Sequence, residues 1–129
     1  MSNPINLARV LRIGLVDDDL SVRRSVGRLL RTHGYACATY DSGETALADP
    51  DLSQTDCLVV DIHLGGINGL ELCERVAALG FKIPHIFITV PTANNAPEGL
   101  DRLKGHTLLT KPFEENDLIE SIQRVMSEP

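Results

Sequence analysis

No apolar run in the 129-residue chain approaches the ~20 residues that a helix needs to cross a bilayer. Met1 to Arg9 also lacks a long apolar stretch, so no signal peptide is expected. Cysteine is scarce. Cys37, Cys57 and Cys73 are odd in number and form no C-x-x-C pair, which argues against a disulfide framework or a thiolate metal site. They are expected to be small buried hydrophobes in a reducing cytosol, and a cytoplasmic location follows. His33, His63, His85 and His106 form no H-E-x-x-H pair, so a zinc site of that kind is not expected either. A basic excess is also missing. Lys and Arg number 12 against 18 Asp and Glu, for a net charge of -6, and a nucleic-acid surface needs the opposite balance.

What the chain does have is an alternation of short apolar runs and helical patterns. Arg12 to Val16, Ala36 to Tyr40, Cys57 to Asp61, His85 to Thr89 and Thr107 to Thr110 read as five strands. Cys57 to Val60 is apolar at four consecutive positions, as in a strand covered on both faces. Between the strands, Val22, Val26, Leu29 and Leu30 mark one face of a helix that stops at His33-Gly34. Ser42 caps a short helix to Leu47. Leu70, Cys73, Val76 and Ala77 mark a third helix, ending near Gly80. The segment from Ala96 to Leu103 reads as a short fourth helix, and Leu118, Ile122, Val125 and Met126 as a final one. Five strands alternating with helices predict an α/β domain with a doubly wound, five-stranded parallel sheet. Its expected order is the flavodoxin-like 2-1-3-4-5, with helices on both faces. One domain is expected over 1–129, with its core at about 12–126.

Ligands of such folds bind at the carboxyl ends of the strands. Asp17 and Asp18 follow the first strand, Asp61 ends the third, Thr89 ends the fourth and Lys111 follows the fifth. Singly, each has a plain structural use as a cap, a turn former or a surface charge. Together they define one edge. Two carboxylates ~5 Å apart repel by roughly 3 kcal/mol at an effective dielectric near 20. A third would raise carboxyl pKa values or recruit a cation. Mg²⁺ suits such a site, because it takes one or two carboxylates and keeps waters for a phosphate. With a hydroxyl and an ammonium added, the parts needed to hold a phosphoryl group are present.

The ordered segments Val16-Asp17-Asp18-Asp19, Asp61-Ile62-His63-Leu64, Gly69-Leu70-Glu71-Leu72, Ile88-Thr89 and Lys111-Pro112-Phe113 resemble the receiver domain of bacterial two-component response regulators. The resemblance runs from about Arg12 to Met126. It implies that Asp61 accepts a phosphoryl group from a histidine kinase or phosphotransfer protein, or from acetyl phosphate. It further implies that Asp18, Asp61 and the main-chain carbonyl of His63 bind Mg²⁺, with Asp17 acting through water. Thr89 and Lys111 would contact the phosphoryl oxygens. The face of the fourth helix, fifth strand and fifth helix would then rearrange, serve a downstream output domain or protein, and offer a homodimer contact. The only chemistry implied is phosphorylation and dephosphorylation of Asp61 itself.

Some positions depart from the family pattern. Leu108 stands where an aromatic is usual, and Val90-Pro91 follows Thr89 where a small residue is usual. Val90 is expected to cover part of the phosphoryl pocket, since β-branched side chains are stiff. Leu64-Gly65-Gly66 replaces a common Met-Pro, with Gly66 expected to turn the chain. These departures keep open a receiver-like interaction module that works without phosphorylation. A hydrolase with an Asp nucleophile lacks its second Asp, because His63 stands at that position. A nucleotide or flavin binder should have a phosphate-cradling turn after the first strand, where this chain has acids.

Overall fold

The computed structural model describes residues 10–90 and 107–127. Its strands are β1 (Arg12–Val16), β2 (Ala36–Tyr40), β3 (Cys57–Asp61), β4 (His85–Thr89) and β5 (Thr107–Thr110). Its α-helices are α1 (Leu20–Thr32), α2 (Gly43–Ala48), α3 (Gly69–Ala78) and a C-terminal helix (Glu115–Ser127). The strands form one parallel sheet in the order β2-β1-β3-β4-β5. This is the flavodoxin-like doubly wound fold. The fourth helix expected over Ala96 to Leu103, and Pro91, lie outside the described residues.

β3 explains the layering. Successive side chains of a strand point to opposite faces. Leu58 and Val60 enter a core with Val16, Phe87, Leu70, Leu72 and Val76. Cys57 and Val59 enter a second core with Ile13, Leu15, Leu30, Leu118 and Ile122. None of the four β3 residues is exposed at all. At about 1.5–3 kcal/mol for each large apolar side chain removed from water, this strand is held firmly in place. Cys57 is buried, and burial pushes its thiol up to about 12. Cys37 and Cys73 are only half-buried, because they lie on the outer strand β2 and on the flank of α3.

Three of the helices, α1, α2 and α3, start on a side-chain cap. Asp19 accepts from the Ser21 N–H, Ser42 from the Thr45 N–H and Asn68 from the Glu71 N–H. A short 3-10 turn at Leu52–Gln54, not evident in the sequence pattern, seats Leu52 in the first core. No described helix is long and apolar enough to cross a membrane.

Candidate phosphoryl and metal site

β1 and β3 are neighbours in register, Val16 opposite Val60, so the residues that follow them emerge side by side. Asp17 and Asp61 therefore meet at the carboxyl edge of the sheet. One carboxylate oxygen from each of Asp17, Asp18 and Asp61 lies within 4.8 Å of the others. Asp17 is buried at 1% exposure, while Asp18 is exposed. Asp17 Oδ1 accepts the Asp19 N–H at 2.9 Å. Its Oδ2 is buried with no hydrogen-bond partner. Burial pushes the Asp17 carboxyl up. The Asp19 N–H and Lys111 oppose that rise, and Asp61 and Asp18 add to it.

The third acid of the sequence run, Asp19, caps α1 and is structural. Asp61 Oδ1 accepts the His63 N–H at 2.8 Å, which fixes the plane of its carboxylate. The ammonium of Lys111 sits 3.7 Å from Asp17 Oδ2 and 3.9 Å from Asp61 Oδ2. The Lys111 N–H donates to the Thr89 carbonyl at 2.8 Å, so β4 places the start of the lysine segment. Thr89 is buried, and its hydroxyl lies 3.3 Å from His63 Nε2. Asp17, Asp18, Asp61, Thr89, Lys111 and His63 are thus gathered at one edge.

A buried carboxylate with one oxygen lacking a hydrogen bond, clustered with two further acids, fits a hard divalent cation with oxygen ligands. Without one, only Lys111 offsets the three carboxylates among the described groups.

Two roles do not follow from the sequence. The first is the contact of the His63 ring with the Thr89 hydroxyl. Its position two residues after a strand-end acid was the available signal. The second is Gly69. A Cβ there would stand 2.8 Å from the Asp61 carbonyl and 2.9 Å from Ile62 Cα, so only glycine lets α3 begin this close to the site. The Gly66 expectation is met. Its φ is +69°, and a side chain there would collide with the Glu44 carboxylate. Of the remaining departures, Val90 and Leu108 are each 44% exposed.

An open, doubly wound parallel sheet with an acid triad and a lysine at its carboxyl edge defines the class. The family described as "Response regulator receiver domain" matches residues 13–123. Nodulation protein W of Bradyrhizobium diazoefficiens is 34% identical over 110 residues, covering 84% of this chain and 48% of that protein. Transcriptional regulatory protein FixJ of Rhizobium meliloti is 31% identical over 114 residues, covering 87% and 55%. Among solved structures, the response regulator StyR matches with a TM-score of 0.79 at 34% identity, covering 90% of this chain and 59% of that one. The Vibrio cholerae chemotaxis protein CheY4 matches with a TM-score of 0.80 at 27% identity, covering 91% and 99%. The chain belongs to the response regulator receiver family of bacterial two-component systems. It spans about half the length of the curated relatives it matches.

Proposed function

We propose that Asp61 is the phosphoacceptor of this receiver domain, taking its phosphoryl group from the phosphohistidine of a sensor kinase or phosphotransfer protein. The observation that supports it best is the Lys111 ammonium facing both Asp17 Oδ2 and Asp61 Oδ2 in an acid triad. An Asp61 oxygen attacks phosphorus, the P–N bond of the donor breaks, and the donor imidazole leaves with its electron pair. An acyl phosphate results. Lys111 and Thr89 contact the phosphoryl oxygens as charge develops on them. Asp17, Asp18, Asp61 and the His63 main-chain carbonyl hold Mg²⁺. When bound, Mg²⁺ supplies positive charge beside the transferring group.

Residues 12–126 act as one receiver core in the cytoplasm. The phosphorylated state is read by an output domain or a downstream protein, through the face that carries β5 and the C-terminal helix. The exposed Leu108 belongs to that face.

Incubation with acetyl phosphate and Mg²⁺, read by intact mass, tests this reading. Wild type should gain one phosphoryl group, and Asp61→Asn or added EDTA should prevent the gain. Equal labelling of wild type and Asp61→Asn would overturn it.

A further inference from the structure

Helix α1 carries Arg23, Arg24, Arg28 and Arg31 and no acid, in a chain whose net charge is -6. Local stability accounts only for Arg31, which lies in the last turn, where a cation is favoured. The start of a helix favours acids over cations, and like charges four residues apart repel. Arg24, Arg28 and Arg31 are exposed, and none of their guanidinium groups is in an ion pair or hydrogen bond with another described residue.

These arginines, with Leu20, Arg23 and Thr39, line an open groove of about 610 Å³. Thr39 belongs to β2, the outer strand of the sheet, whose sole strand partner among the described residues is β1. The outward row of β2 N–H and C=O groups is therefore free of any described strand. Outer strands are commonly protected by charge or proline, and β2 (ACATY) contains neither.

We infer that this groove docks a carboxylate-rich, extended segment of a partner protein, laid along the outer edge of β2 with its acids on Arg24, Arg28 and Arg31. Strand addition gains affinity from main-chain hydrogen bonds and specificity from alternate side chains. Arg24 and Arg28 lie ~6 Å apart along the helix axis at 1.5 Å per residue. Alternate side chains of an extended chain lie ~6.7 Å apart, close to that spacing. Guanidinium–carboxylate pairs are strong and directional. A free phosphate compound would satisfy the arginines but leave the β2 edge unused. The inference does not depend on the chemistry at Asp61.

The test uses the full chain, isotope-labelled, and a short synthetic peptide alternating Glu and Thr. Binding should shift α1 amides and slow hydrogen exchange in β2. It should weaken as salt shortens the Debye length from ~10 Å at 0.1 M to ~3 Å at 1 M. The double variant Arg24→Glu/Arg28→Glu should bind at least about tenfold more weakly, a loss of ~1.4 kcal/mol. Arg24→Lys/Arg28→Lys should keep part of the binding. Both variants should still gain a phosphoryl group from acetyl phosphate, which shows an intact fold and keeps this result separate from that at Asp61. Three outcomes would each overturn the inference: no response to millimolar peptide, binding that survives the charge reversal, or α1 shifts without β2 protection. If inorganic pyrophosphate matches the peptide, the site takes free anions and the inference also fails.

Discussion

His63 Nε2 lies 3.3 Å from the hydroxyl of Thr89, at the sheet edge that carries Asp61. The Thr89 hydroxyl is therefore already engaged by an imidazole. Which of the two donates depends on the ring tautomer, but either way the contact would have to be given up or rearranged for Thr89 to take the proposed role at a phosphoryl oxygen.

Replacing His63 should therefore speed both entry and loss of the phosphoryl group. His63→Ala is expected to raise labelling by acetyl phosphate and the decay of the acyl phosphate by about 2–5-fold, within what one hydrogen bond can supply. Val90→Ala should change them less, because the Val90 side chain is 44% exposed. Rates measured by phosphate release decide, and unchanged His63→Ala rates would remove any role for the ring.

Burial holds the Asp17 carboxyl above its usual range, so the folded state binds that proton more tightly than the unfolded chain does. Its contribution to stability is full at low pH and is lost as pH rises from the unfolded carboxylate range through the raised folded value. Once charged, Asp17 thus weakens the metal-free fold. Asp17→Asn should raise the Tm in EDTA by about 2–5 °C at pH 7, with no gain at pH 3. Mg²⁺ at ten times its Kd should stabilise wild type by about 1.4 kcal/mol, and the variant much less. Thermal unfolding with and without Mg²⁺ checks both halves.

The Lys111 ammonium, between two carboxylates, should matter more to the reaction than to the fold. Lys111→Met is expected to slow labelling of Asp61 by about 100–1000-fold, the range for losing one preorganised donor at a transition state. Lys111→Arg should recover only part of the rate. The midpoint of denaturant unfolding should move little, since the lysine is partly solvated.

Gly69→Ala places a methyl group against main chain on both sides of the Asp61–Ile62 peptide. Backbone cannot yield as a flexible side chain can, so the start of α3 must shift. The expected cost is about 1–3 kcal/mol, together with slower labelling, because the shift reaches Asp61 directly. Urea unfolding and acetyl phosphate labelling measured on one sample test whether the two losses go together.

All five strands were legible in the sequence, because each is a short apolar run closed by a polar or turn residue. Asp17, Asp18, Asp61, Thr89 and Lys111 were legible for a related reason: each follows or ends such a run, and the sheet order brings those ends together. The 3-10 turn at Leu52–Gln54 was not, since so short a segment has no periodicity. Nor was the His63–Thr89 contact, which depends on how a loop folds back between residues far apart in sequence. The arginines of α1 were hidden by the net charge. A chain total of -6 averages away a helix that carries four cations and no acid.

Asp17 belongs to all of these neighbourhoods at once. Its main-chain N–H donates to the Tyr40 carbonyl at the end of β2, and its carbonyl accepts from the guanidinium of Arg23 on α1. Its carboxylate faces the start of α1 on one oxygen and Lys111 on the other. Thermodynamic reciprocity governs such a junction. If an occupant of the α1 groove changes cation affinity at Asp17 by some factor, the cation must change affinity for that occupant by the same factor. Measuring either binding event in the presence of the other would therefore give the coupling in both directions.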